Sequence, residues 1–370
     1  MPTVERGGAT HRGICRFTDC CRHVERQTMR NLIISSLAGF LALGMSGLAL
    51  ATEPNTNDVD YPKRPISVLV PYAPGGSTDV VTRMVTEQMS IVLHQKVLVQ
   101  NVVGSGGTTA VLRAKRALPD GYTLLTGNMG TLAAALALHP QLEYDPRTSF
   151  QPIGILAQAP ILILGRRDFP PKDLNEFILY VKANAYKLDE GHAGFGSFPY
   201  AACLLLDHIL GVRPRLVSFD GGAPAMTALA AGRLDYMCNP TTDSVPWVRA
   251  GKVKAYGIAA PQRSPALPEV PTTAEAGLPG YEVSNWQGLF APKEVPAAIV
   301  HKLNDALVKA LDDATLRERL LDLGTSTPER AQRNAQALAD LLNVQLERWK
   351  SLIGDTGPMR GPRYSLPPTR

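Results

Sequence analysis

Gly75, Gly76, Ser77, Thr78 and Asp79 stand together just after a short apolar run, Ile66 to Val70. The intervening turn holds Pro71 and Pro74. The run has the composition of a strand. Ser77 or Thr78 can cap a helix carried on Val80, Val81, Met84 and Val85. Such a start leaves main-chain N–H groups pointing out of the first helical turn, where they suit an anion. The glycine pair lets a ligand approach the backbone closely. The stretch is therefore one jaw of a candidate binding site, with a carboxylate as its expected ligand. It also fits an ordinary strand-to-helix turn that binds nothing. No Gly-Lys-Ser/Thr follows it, and it is not Gly-x-Gly-x-x-Gly, so neither common nucleotide pattern is present.

Catalysis has no comparable foothold. Gly194-Phe195-Gly196-Ser197 has neither the order nor the spacing of Gly-x-Ser-x-Gly, and His-Glu-x-x-His and Cys-x-x-Cys are absent. Beyond residue 51 the histidines are His94, His139, His192, His208 and His301. Of these, His192 precedes a glycine loop and is placed to line a cleft. Asp79, in the first turn of its helix, either complements the helix N-terminus or orients the loop or a ligand amine. Asp220, before Gly221-Gly222, carries the same two readings. Glycine loops without a nucleophile–base pair favour binding over catalysis. No catalytic residue, metal or cofactor is expected.

The loops need a scaffold, and the chain repeats one design. Val97 to Val103 is a second strand, Gly104 to Gly107 its loop, and Thr108 or Thr109 the start of its helix. A strand over Tyr122–Thr126 ends at Gly127-Asn128. Ile153–Leu156 and Ile161–Leu164 are expected as two strands split by Pro160. A helix begins at Lys172 or Asp173. His192 to Ser197 is a third glycine-rich loop, running into a helix over Tyr200–Leu210. Strands over Leu216–Phe219, Leu234–Cys238 and Val253–Ala259 alternate with helices over Ala225–Ala231 and Thr241–Ala250. A strand within Glu282–Ala291 and two or three helices, over Ala297–Leu311, Ala314–Leu323 and Asn334–Ile353, close the chain. This rhythm predicts an α/β fold of two lobes, each a mixed, mostly parallel sheet flanked by helices. The first lobe comprises 60–155 and 263–355, and the second 156–262. The crossings form a hinge over a cleft, and the glycine loops face each other at the carboxyl ends of the strands.

Residues 29–51 have the form of a signal peptide: Met29-Arg30, an apolar stretch over Leu32–Leu50, and Ala49-Leu50-Ala51 before the expected cleavage. A single membrane anchor is the alternative reading. Residues 1–28 are an extension ahead of it, and 356–370 a flexible tail. The chain has 38 basic and 33 acidic residues; residues 1–51 hold six Arg and three acids, which leaves 32 against 30. Near-neutral charge without a basic stripe excludes nucleic acid as a partner. Cys203 and Cys238 remain, either as a disulfide or as two buried thiols.

Taken in order, these pieces resemble the receptors of tripartite tricarboxylate transporters, the Bug/TctC family of periplasmic binding proteins. The resemblance covers about residues 61–353. It rests on Tyr61-Pro62-Lys63-Arg64-Pro65, on Val70 to Gly76 with Asp79 and Arg83, and on Asn101 with Gly104 to Gly107. Pro119 to Leu125, Ala223-Pro224-Ala225 with Gly232 and Asp235, and Val270 to Glu282 with Trp286, Gly288-Leu289 and Ala291-Pro292 complete it.

It implies a periplasmic-binding-protein-like clamshell that captures a small organic carboxylate in the periplasm. One carboxylate end is held mainly by main-chain amides and waters. Carried to this chain, that places Tyr72, Ala73, Gly75, Gly76, Ser77, Thr78 and Asp79 on the ligand, bordered by Ser105, Gly106 and Asn128. The second lobe adds Phe195, Gly196, Ser197, Tyr200, Phe219, Asp220 and Gly221.

Two places depart from the pattern. Relatives often have Ser-Ser-Gly-x-Gly-Thr and then His where this chain has His192 to Ser197 and Tyr200. They often have Tyr-Lys-Gly where it has Phe219-Asp220-Gly221. An acid at 220 disfavours a second carboxylate nearby and points to a monoacid, or to an acid carrying an amine or hydroxyl. The implied partner is a membrane permease, or alternatively the ectodomain of a signalling protein, with the receptor itself a monomer. An exported α/β enzyme is the remaining reading, and it lacks a catalytic pair.

Overall fold

Ile66, Val68, Leu69 and Val70 are all buried, and they form strand β1 (Ile66–Val70) of the computed structural model, which describes residues 60–139 and 141–355. The expected extension, signal peptide and tail lie outside the described residues. An apolar run of this kind is the mark of a strand covered on both faces. Helix α1 (Ser77–Leu93) carries it over to β2 (Val97–Asn101), and helix α2 (Thr108–Lys115) leads on to β3 (Thr123–Asn128). Both neighbours pair with β1 in parallel. Val81, Met84, Val85 and Met89 recur at helical spacing on α1 and are buried against the sheet.

A π-turn over Gly130–Ala134 runs into the short α3 (Ala135–Leu138), followed by α4 (Pro146–Ser149) and then β4 (Phe150–Arg166). β4 is a single strand of 17 residues, not two strands split by Pro160. Proline is tolerated there because of its side of the ladder. Gln158 donates its N–H to Ser326 O at 2.8 Å, away from the β9 side. Pro160, two residues on, faces the same way, where β4 gains a neighbouring strand only from Ile161.

The second group of strands follows. Helix α5 (Leu174–Asn184) is capped by Asp173 and precedes β5 (Asp189–His192). Then come α6 (Phe198–Leu210), β6 (Arg215–Ser218), α7 (Gly222–Ala230), β7 (Tyr236–Pro240), α8 (Thr241–Arg249) and β8 (Val253–Ile258). β5 belongs to no apolar run and is not expected as a strand, its last residue, His192, being read as the start of a loop; its register is set by parallel pairing with β6 and β7. The chain returns through β9 (Ser284–Pro292) to α9 (Ala297–Asp312), α10 (Ala314–Asp322) and α11 (Ala335–Asp355).

The strand order is β2-β1-β3-β9-β4-β7-β5-β6, with β8 also on β4. The sheets are mixed: parallel pairs occupy the two outer parts, while β9 and β4 make antiparallel pairs at the centre. β4 joins the groups, pairing with β9 up to Pro160 and with β7 and β8 beyond. Leu303, Leu307 and Leu311 of α9 are buried in the core that α9 forms with α1 and β4, each such side chain contributing about 1.5–3 kcal/mol. Cys203 and Cys238 are buried free thiols.

Candidate functional site

The carboxyl ends of β1, β2, β5, β6 and β7 each run through a turn into a helix: α1, the short turn before α2, α6, α7 and α8. Glycine stands at the N-cap of three of these helices, Gly76 for α1, Gly107 for α2 and Gly221 for α7, and none of the three has a side-chain cap. Three helices remote from these loops are capped, Asp145 accepting from Arg147 N, Asp173 from Glu176 N and Asp313 from Leu316 N, while α9 starts after Pro296 without a side-chain cap. An uncapped start offers its amides to a ligand or to water. The Gly104–Gly107 loop adds four consecutive positive φ values, 126°, 49°, 63° and 98°, a concave backbone of the kind that holds anions.

The loops of the two strand groups are in contact. Ala73 N donates to Asp220 O at 2.9 Å, and Ser77 Oγ to Thr242 Oγ1 at 3.0 Å. Gln287 Nε2 reaches Ser77 Oγ at 3.1 Å from β9. A methyl group on Gly106 would overlap the Phe195 carbonyl, and one on Gly221 would come within 3.0 Å of Ala73 N. The cleft is thus closed by backbone against backbone.

Two cavities remain between the loops. The outer one, about 140 Å³, is lined by Ser105, Gly106, Phe195, Phe219 and Asp220 of the expected residues. The inner one, about 20 Å³, is lined by Gly76, Ser77, Thr78 and Asn128. Tyr72 borders both, as does Ala193. A larger groove, about 620 Å³, lies on the other side of β1 against α2, between Ser67, Gln100, Thr109 and Arg113, and takes no part in the loop cluster.

Other expected residues support the cleft without lining either cavity. Asp79 is a brace. Its carboxylate accepts from Gly75 N at 2.9 Å, Asn101 Nδ2 at 2.8 Å and Arg83 Nε at 3.0 Å, with Arg83 Nη2 at 2.9 Å. Burial raises its pKa, but the Arg83 guanidinium and these donors outweigh that and hold it below the usual carboxylate value. Asn101 also donates to Tyr72 O at 2.9 Å, so the same network shapes the loop. Ala73, Gly75 and Gly221 form the backbone turns. Ser197 is the cap of α6, accepting from Tyr200 N at 3.3 Å. Gly196 packs on Ala135.

His192 does not line either cavity. It is fully buried, and its ring meets Phe195 edge-on and Tyr200 at a tilt, both at centroid distances of 5.0 Å. Burial pushes its pKa down to about 4 against the Gly194 amide, which donates to Nδ1 at 3.1 Å; the imidazole is neutral. Among the described residues no group of three or more His, Cys, Asp or Glu is placed to hold a metal ion.

Sequence reasoning missed the inner wall. Asn239 and Asp243 come from β7 and α8, Asn285 from β9, and Gly222, Phe198 and Pro199 from the second-group helix starts. Asp243 is buried and its carboxyl is pushed up to about 7 by desolvation, with Asn239 and the Ser77 amide opposing. Two signals pointed here. Asn285 and Gln287 alternate around Trp286 within an apolar strand, and Thr241-Thr242-Asp243 repeats the helix-start composition of Ser77-Thr78-Asp79.

Two groups of strands whose glycine-entered helix starts close on one cleft define a solute-binding protein of the periplasmic-binding-protein type. The family model described as "tripartite tricarboxylate transporter family receptor" matches residues 81–357, and this chain belongs to that family, whose members are receptors and not catalysts. The chain is similar to MatC from Rhodopseudomonas palustris, solved with bound malate: 48% identity over 79% of this chain and 100% of that one, TM-score 0.78. It is similar to the periplasmic binding protein BugD at 38% identity over 80% of this chain and 98% of that one, TM-score 0.77. A protein of the TAR-I ttuE-ttuC' intergenic region of Agrobacterium vitis is 37% identical, over 86% of this chain and 91% of its own.

Proposed function

We propose that this chain is exported to the periplasm, captures a small organic carboxylate between its loops and presents it to a membrane permease. The observation that carries this is the convergence of three uncapped, glycine-entered helix starts on a closed cleft. Amides in a dry cleft bind an anion without a buried counter-cation, because their dipoles are already oriented and no water screens them. Family membership and the malate held by MatC support the same chemistry. The signal-like segment at 29–51 supports export.

We further propose that 60–155 with 263–355 and 156–262 move as two lobes about β4, which changes partners at Pro160, and about the link from β8 to β9. The expected ligand contacts are the loops that line the two cavities, with Asp220 at the rim selecting against a second carboxylate beside it.

Thermal melting with millimolar mono-, di- and tricarboxylates tests the assignment. A ligand that binds only the folded chain raises the melting temperature by mass action, about 2.7 kcal/mol of stabilisation at a hundredfold excess over Kd. A rise of several degrees with one chemical subset is expected. A flat response across all the acids would remove the carboxylate reading.

A further inference from the structure

Four side chains, each more than nine-tenths buried, border the inner cavity with a polar atom that meets no partner among the described residues: Tyr72, Asn239, Asp243 and Asn285. The atoms are the Tyr72 hydroxyl, Asn239 Oδ1, Asp243 Oδ2 and Asn285 Oδ1. The amide oxygens are acceptors only; the Tyr72 hydroxyl is the one group of the four that donates in every protonation state. The helix start at Gly76, Ser77 and Thr78 borders the same cavity, but Asn239 Oδ1, Asn285 Oδ1 and an ionised Asp243 are acceptors that a carboxylate cannot meet and an O–H or N–H group satisfies.

The arrangement is held in place. Asn239 Nδ2 donates to Asp243 Oδ1 at 2.9 Å and to Ser244 Oγ at 3.0 Å, which turns its Oδ1 the other way. A methyl group on Gly222 would lie 2.6 Å from Asp243 Oδ2 and 3.1 Å from Asn239 Oδ1, so glycine is what leaves room before these two atoms. The volume, about 20 Å³, fits one hydroxyl, ammonium or water. Because Tyr72 and Ala193 border both cavities, a group seated in the inner one belongs naturally to a molecule whose body lies in the outer one.

We propose that the inner cavity is a subsite for a hydroxyl or ammonium substituent of the bound acid, with Asn239 and Asp243 as its specificity-determining acceptors. This rests on the carboxylate reading of the cleft. An acid without the substituent leaves buried acceptors unmet, and sites built to hydrogen-bond a substituent reject analogues that lack it.

Calorimetric titration of the purified protein with matched acids tests it: malate and aspartate against succinate, and lactate against propionate. The substituted acid of at least one pair is expected to bind at least tenfold tighter. Asp243→Leu is expected to bring that pair within threefold. Gly222→Ala, which fills the space without removing an acceptor, is expected to do the same and serves if the first variant fails to fold. Measurable binding of the unsubstituted acids with equal affinity in every pair would mean that water satisfies the acceptors, and would overturn the subsite while leaving the carboxylate reading intact. Discrimination that survives in a folded variant would overturn it as well. Absence of binding by every acid would remove both readings.

Discussion

Asp79 and Asp243 both sit in the first turn of a helix that follows a strand, and their sequence surroundings are nearly alike. The structure gives them opposite tasks. Every oxygen of Asp79 is engaged by Gly75, Asn101 or Arg83, so its charge serves the loop and none of it faces the cavities. Asp243 keeps one oxygen without a partner at the cavity wall. That difference was not legible in the sequence, because it depends on which strand lies beside each helix start. β2 supplies Asn101 to Asp79, whereas the side-chain hydrogen bond to Asp243 comes from Asn239 of its own strand-to-helix turn, with the Ser77 amide near it. Replacing Asp79 by Asn puts an amide N–H where an acceptor is needed and breaks charge-assisted bonds worth roughly 1.5–3 kcal/mol each. Urea unfolding of Asp79→Asn should therefore show a loss of about 2 kcal/mol or more. A variant as stable as the parent would mean that the network is ornamental.

At the scale of elements, the strand–glycine loop–helix units around β1 and β2 were legible because β-branched runs, glycines and helical spacing coincide there. β5 was not. Its four residues, Asp189-Glu190-Gly191-His192, show no apolar alternation, and they are a strand because β6 and β7 flank them. The strand buries Glu190 and His192. Glu190 faces Asp207, Tyr236 and Cys203, and burial raises its pKa to about 7 despite those partners. Asp207 is also raised, by burial and then by Glu190, and it accepts from the Tyr236 hydroxyl at 3.3 Å. The sign follows from linkage. From its ordinary value up to about 7 the folded chain keeps a proton on Glu190 that the unfolded chain releases, so this contribution to stability falls as pH rises through that window. His192 acts oppositely: its depressed value favours the folded chain as pH rises above about 4. Glu190→Gln removes the first effect, eases the push on Asp207 in the same direction, and leaves His192 as it is. Its melting temperature should gain on the parent between pH 5 and pH 8, as followed by circular dichroism. Parallel pH profiles for the two proteins would show that Glu190 is ionised in the fold at no cost.

For the whole molecule, the contacts that close the cleft are the ones that a larger residue would forbid. Gly106 has φ 63° and lies against the Phe195 carbonyl, so alanine there is strained in the backbone and blocked by the opposite loop. Opening the cleft relieves the block but not the φ. The core packing of α1 and α9 on β1 and β4 lies on other faces and does not depend on closure. Gly106→Ala should therefore leave a folded protein whose melting temperature without added acid is lowered by only a few degrees. Its affinity for the acid that stabilises the parent should fall at least tenfold, about 1.4 kcal/mol. The radius of gyration should contract with that acid in the parent and stay constant in the variant, as measured by small-angle scattering under saturating ligand. The reason is thermodynamic: a ligand shifts the open–closed balance only by its preference for the closed form, and the variant raises the energy of that form by the clash in addition to the backbone strain that both forms carry. Equal contraction and equal affinity in the two proteins would show that binding does not require these loops to meet, and the two-lobe motion about β4 would then have no part in capture.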